Sequence, residues 1–115
     1  MILNDVNLSV SDVGAAKAFL MTYFGLTDTG WGDGNRNMAF LRDDAGFLLS
    51  MFKHKDTVYP GTFHIGFGQP DRAAVRAMND RLRADGYPVA PPQEMHAYTF
   101  YVDAPGGFQV EVMSA

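Results

Sequence analysis

DVNLSVSD (Asp5–Asp12) and HIGFGQPD (His64–Asp71) decide the fold, because one lies over the other at an offset of 59 residues. Each places apolar side chains at its second and fourth positions, Val6 and Leu8 in one and Ile65 and Phe67 in the other. Each therefore reads as a strand with a side chain on alternate faces, ending at an aspartate suited to cap a helix. A repeat of this kind constrains architecture more tightly than local propensity does.

Amphipathic runs follow both aspartates. Val13, Ala16, Leu20, Tyr23 and Phe24 recur at helical spacing before Gly25, and Val75, Met78 and Leu82 do so before Gly86. Beyond the helices the offset becomes 61, and NMAFLRDDAGFLLSMF (Asn37–Phe52) matches YTFYVDAPGGFQVEVM (Tyr98–Met113). In each of these stretches two strand-like runs flank a turn, DDAG in the first and DAPGG in the second. Each half thus reads as β, α and then three strands. The spacing predicts one domain over residues 1–115, with a first module at 1–53, a second at 61–115, and KHKDTVYPG (Lys53–Gly61) as a short connector.

Composition bounds the chemistry. The chain has 115 residues and no cysteine, which excludes disulfides, thiolate metal sites and thiol nucleophiles. Nine basic side chains against thirteen acidic ones give a net charge of −4, which disfavours nucleic acid and anionic lipid as partners. The N-terminus lacks the pattern of a signal peptide and no apolar run reaches spanning length, so the expected location is the cytoplasm and no membrane association is expected.

Strand parity then sorts the side chains. Val6, Leu8 and Val10 alternate with Asp5, Asn7 and Ser9, and Phe108, Val110 and Val112 alternate with Gln109, Glu111 and Met113. The apolar set is expected under the helices. The other set, which includes His64, Gly66, Gly68, Leu48, Ser50 and Phe52, is expected on the concave face of a curved sheet. By the repeat, Asp5 corresponds to His64 and Ser50 to Glu111. Asp, His and Glu at three of these four positions are all side chains that bind divalent cations.

The strand–Asp–helix–Gly–Leu plan, the FHIGF strand and the APGGFQVEV hairpin resemble the vicinal oxygen chelate superfamily, which includes glyoxalases, bleomycin resistance proteins and extradiol dioxygenases. The resemblance covers nearly the whole chain. It implies an α+β fold of two tandem βαβββ modules, whose mixed sheet curves into a cup with the helices outside. It implies metal ligands at Asp5, His64 and Glu111; the family usually has His or Gln where Asp5 stands, and an acidic residue in glyoxalase I where Ser50 stands. It also implies a homodimer, in which modules of two chains pair.

Two functional readings follow. In the first, Mn²⁺, Fe²⁺, Ni²⁺ or Zn²⁺ on Asp5, His64 and Glu111 polarises a small oxygen-chelating substrate, in a lyase, transferase or dioxygenase. His64 and Glu111 are the expected catalytic pair, and without a metal they would serve as a base and its orienting partner. In the second, the protein resembles bleomycin resistance proteins and sequesters an aromatic or cationic compound without chemistry. Ser50, Phe40, Met38, Phe52, His96, Tyr98 and Tyr101 are the expected pocket residues, with ordinary core packing the alternative for the aromatic ones. Trp31, in the glycine-rich TGWGDGNRN, is expected to pack within a loop, with a lid over the cup or a surface for a second subunit as the alternatives. The arginines of the second helix (Arg72, Arg76, Arg81, Arg83) are expected on a solvated face.

Overall fold

Both helices begin on an aspartate. In the computed structural model, which describes residues 1–115, Asp12 accepts from the Ala15 N–H at 3.0 Å and Asp71 from the Ala74 N–H at 2.8 Å. Each bond satisfies a first-turn donor that has no partner inside the helix, a contribution of about 1 kcal/mol. At the far end of the second helix the Tyr87 N–H reaches back to the Leu82 carbonyl at 2.9 Å, while the Gly86 N–H bonds Arg83 at 3.1 Å. These two hydrogen bonds close the helix around Gly86, which takes a left-handed φ of 93° two residues beyond its last turn.

The elements run β1 (Asp5–Val10), α1 (Val13–Phe24), β2 (Thr27–Gly32), β3 (Met38–Arg42), β4 (Leu48–Lys53), β5 (Ile65–Gly68), α2 (Arg72–Ala84), β6 (Gln93–Glu94), β7 (Tyr98–Ala104) and β8 (Phe108–Ser114). They form two four-stranded mixed sheets, ordered β1-β4-β3-β2 and β5-β8-β7-β6. In each, the first strand pairs in parallel with the last and the other neighbours are antiparallel. A parallel pair needs a crossover rather than a hairpin, and the helix with its following strands supplies it. Two tandem βαβββ modules with one topology make this an α+β fold, as the repeat predicts. No helix is long and apolar enough to cross a membrane.

The chain divides into two compact units, one of Met1–Tyr59 with Pro105–Gly107 and the other of Pro60–Ala104 with Phe108–Ala115. In the first, α1 lies against β3 and β4 and buries Val13, Ala16, Phe19 and Leu20 over Ala39, Leu41, Leu49 and Met51. Most of the connector belongs here, because the His54 N–H bonds the Val10 carbonyl at 2.8 Å and the Tyr59 hydroxyl both accepts from and donates to the Ser9 backbone at 2.8 Å. Trp31 stands on β2 rather than in a loop.

In the second unit α2 lies against β7 and β8, with Val75 and Leu82 over Phe100, Val102, Val110 and Val112. Asn79 shares this buried stripe, where Met78 is only partly covered. Its amide donates to the Ala90 carbonyl at 2.8 Å and accepts from Arg83 at 2.9 Å, so burial leaves no polar atom unpaired.

Gly106 tests the packing of the first unit. It holds φ at 100°, its carbonyl accepts from the Ser11 N–H at 2.9 Å, and a Cβ there would lie 3.2 Å from those of Val10 and Ala16. Gly106→Ala is expected to lower stability by about 2–3 kcal/mol through backbone strain plus overpacking. Gly46→Ala, at φ 88° in open space, should cost only the strain, about 1 kcal/mol. Urea midpoints of the two variants check the difference.

Candidate functional site

Regular alternation along β8 turns Val110 and Val112 toward α2 and leaves Glu111 on the opposite face, in a strand with neighbours on both sides. On β7 its partner is Tyr101, with Thr99 two residues away on the same face. On β5 its partner is Gly66, whose missing side chain would carry a Cβ 3.7 Å from Glu111 Oε1. His64 falls just before β5 begins, two residues from Gly66 and on that same face. His96 comes from the turn between β6 and β7.

These side chains meet at one carboxylate. Thr99 Oγ1 donates to Glu111 Oε2 at 2.7 Å, and His96 Nε2 lies 2.7 Å from the same oxygen. His64 Nε2 faces the other oxygen, Oε1, at 3.3 Å. Tyr101 is a further donor to the carboxylate, and its ring meets the His64 ring edge-on with centroids 5.4 Å apart. Glu111 keeps only 3% of its surface exposed, whereas the side chains of His64 and His96 are 35% and 52% exposed. The arrangement is a buried anion reached from solvent through two imidazoles.

Burial by itself pushes the Glu111 carboxyl up, but bonds from Thr99, Tyr101 and His96, with the charge of His96, outweigh it and hold the group below the ordinary glutamate value. Burial first, then the bond to Glu111 and its negative charge, push the Tyr101 phenol up, so it stays a protonated donor. His64 Nδ1 lies 3.1 Å from the Thr62 carbonyl. A carbonyl only accepts, so Nδ1 carries the hydrogen, and Nε2 of the neutral ring presents its lone pair beside Oε1.

That pair fits a divalent cation in part. Two donors at about 2.1 Å from one ion, at an angle of about 100°, stand about 3.2 Å apart, close to the 3.3 Å between Nε2 and Oε1. The imidazole braced by a backbone carbonyl is the usual companion of such a ligand. No group of three or more His, Cys, Asp or Glu side chains is arranged to hold a metal.

The first unit presents a different face. Asp5 is exposed at the start of β1, in register with Leu48. Ser50, the repeat equivalent of Glu111, is buried, accepts from Asn7 Nδ2 at 2.8 Å and sits opposite Phe40. The Phe40 ring lies 6.0 Å from Phe52 and 6.0 Å from Trp31, Met38 is in register with Phe52, and the Arg42 guanidinium stacks 5.2 Å over Trp31. This face is aromatic and carries a neutral polar pair.

Tyr98 stands apart from the expected pocket set. It shares the parity of Phe100 and Val102, which puts it on the helix side of β7, where the Arg72 guanidinium lies 4.8 Å over its ring. Arg72 also pairs with Glu94 and so is not simply solvated. Thr99 escaped the reading of the sequence altogether, although its two-residue spacing from Tyr101 already put it on the Glu111 face.

A family model described as the Glyoxalase/Bleomycin resistance protein/Dioxygenase superfamily matches residues 2–112. A protein from Bacillus cereus described as a possible glyoxalase is 50% identical, with 98% of each chain covered and a TM-score of 0.93. A lactoylglutathione lyase from Agrobacterium tumefaciens shares the fold at 23% identity and a TM-score of 0.80, over 99% of this chain and 93% of that one. A fosfomycin resistance protein from Listeria monocytogenes does so at 18% identity and a TM-score of 0.81, over 100% and 93%. A search of the curated proteins returned no match.

The Glu111 cluster should leave a mark on acid stability. A carboxyl lowered in the native state adds stability above its ordinary pKa of 4.5, and that contribution is lost as pH falls through the lower native value. Glu111→Gln should therefore flatten the fall of melting temperature below pH 4.5, read by calorimetry across an acid series.

Proposed function

Because the chain belongs to the Glyoxalase/Bleomycin resistance protein/Dioxygenase superfamily, we propose that the Glu111 face of the second unit is its functional site, and that His64 and Glu111 are cation ligands there. The observation that carries this reading is the convergence of His64 Nε2 and Glu111 Oε1 at 3.3 Å with Nδ1 committed to Thr62. A mixed imidazole and carboxylate set suits Mn²⁺, Fe²⁺, Ni²⁺ or Zn²⁺. A bound ion supplies Lewis acidity toward an oxygen of a small substrate.

The chain's own residues supply the rest. Thr62 holds the His64 tautomer. Thr99, His96 and Tyr101 keep Glu111 ionised and fix its plane, and the open side at Gly66 gives access to Oε1. The description of the Bacillus cereus relative favours a glyoxalase-type lyase over transferase or dioxygenase chemistry. The proposal includes Asp5 as an expected ligand, which Asp5→Ala tests, and a homodimer, as the family resemblance implies; a mass in sedimentation equal to one chain at all concentrations would remove the dimer.

A second reading, a metal-free protein that sequesters a small aromatic or cationic compound, is favoured by one observation. Both Glu111 oxygens already face protein nitrogen or oxygen, while Trp31, Phe40 and Phe52 form an aromatic row on the first unit's sheet. Isothermal titration with Mn²⁺, Ni²⁺ and Zn²⁺ separates the two. The metal reading expects about one ion per chain and at least a tenfold loss in His64→Ala. Absence of binding in the wild type, or unchanged binding in His64→Ala, would leave the sequestering reading in its place.

A further inference from the structure

His96 is half exposed and lies on a turn, yet it is held from both sides. The strand before it, β6, has only two residues, paired to β7 at Gln93 with Thr99 and Glu94 with Tyr98. One guanidinium grips both flanks: Arg72, in the first turn of α2, forms an ion pair with Glu94 and stacks on Tyr98. Its Nε also donates to the carbonyl of Ala115 at 3.3 Å, tying the arginine to the end of the chain. Within the turn the Met95 N–H bonds the Ala97 carbonyl at 2.8 Å. Glu94 and Tyr98 stand two residues on either side of His96, so the clamp sets where its ring goes.

The ring goes to Oε2 of Glu111, the oxygen that Thr99 also occupies. A carboxylate oxygen has about two lone-pair directions, and Thr99 with His96 fills both on Oε2. Oε1 keeps at least one direction toward His64 beside any bond from Tyr101. A neutral His96 ring with its hydrogen on Nε2 is enough for this division.

We propose that His96 is a positioning residue: with Thr99 it reserves Oε2, restricts Glu111 to donation through Oε1, and thereby makes the site discriminate against cations that need a two-oxygen carboxylate. The inference rests on the reading of His64 and Glu111 as cation ligands. Ca²⁺ gathers six to eight oxygens at 2.3–2.6 Å and readily takes a carboxylate through both atoms. A first-row transition ion on an imidazole and one carboxylate oxygen has no such need.

The experiment titrates the full chain with Mn²⁺ and with Ca²⁺, in the wild type, His96→Ala, His96→Gln and Arg72→Gln, with a melting curve for each. The wild type should prefer Mn²⁺. His96→Ala should narrow the Mn²⁺ to Ca²⁺ affinity ratio by about tenfold, within the range that outer residues exert on a metal site. His96→Gln, whose amide N–H replaces the lost donor, should restore most of the ratio, and Arg72→Gln should shift it in the same direction as His96→Ala by a smaller factor. A folded His96→Ala with an unchanged ratio, in a wild type that binds Mn²⁺, overturns this proposal alone. A wild type that binds neither ion overturns the ligand reading and this proposal with it. Should His96→Ala not fold, Arg72→Gln decides, and an unchanged ratio there counts against the proposal.

Discussion

A carboxylate taken out of water on a central strand has to be met by donors, and in the second unit that requirement organises everything around Glu111. Several kcal/mol of desolvation are offset only if the lone pairs of the anion are satisfied. The donors come from two places in the chain, Thr99 and Tyr101 from β7 and His96 from the preceding turn, while His64, on the approach to β5, turns the lone pair of Nε2 toward the same carboxylate. The pairing of β8 with β7 and the placement of a short edge strand both serve one charged group.

The duplicated unit shows what happens without that charge. Ser50 occupies the position of Glu111 and needs one partner, which Asn7 supplies. No imidazole is drawn in, and the face fills with Phe40, Phe52 and Trp31 instead. One topology thus carries an ionic cluster in one copy and an aromatic row in the other. The two copies share a strand order while the chemistry of their faces differs.

Much of this was legible from period and repeat. An offset of 59 residues, aspartates ahead of amphipathic runs, and strict alternation along the strands were enough to give two βαβββ modules and to put His64 and Glu111 on the face away from the helices. What was hidden depends on contacts distant in sequence. The bond from His96 to Glu111 spans 15 residues, and nothing local distinguishes it from a loop histidine. Asn79 interrupts an apolar stripe for the sake of a carbonyl 11 residues away. Tyr98 shares the parity of Phe100, so it stands on the helix side of β7 under Arg72, a placement that aromatic character alone does not reveal. Trp31 lay among glycines that read as a loop, whereas its pairing context is a bulged edge strand.

Gly66 is the smallest element of the site and governs how it is reached. It is the β5 neighbour of Glu111, and even a methyl group there would stand in contact with Oε1. A longer side chain would roof that oxygen without disturbing a hydrogen bond of the ladder, because backbone pairing is indifferent to what the residue carries. Access to the anion and integrity of the sheet are therefore separable at this one position: the strand would survive a substitution that closes the door.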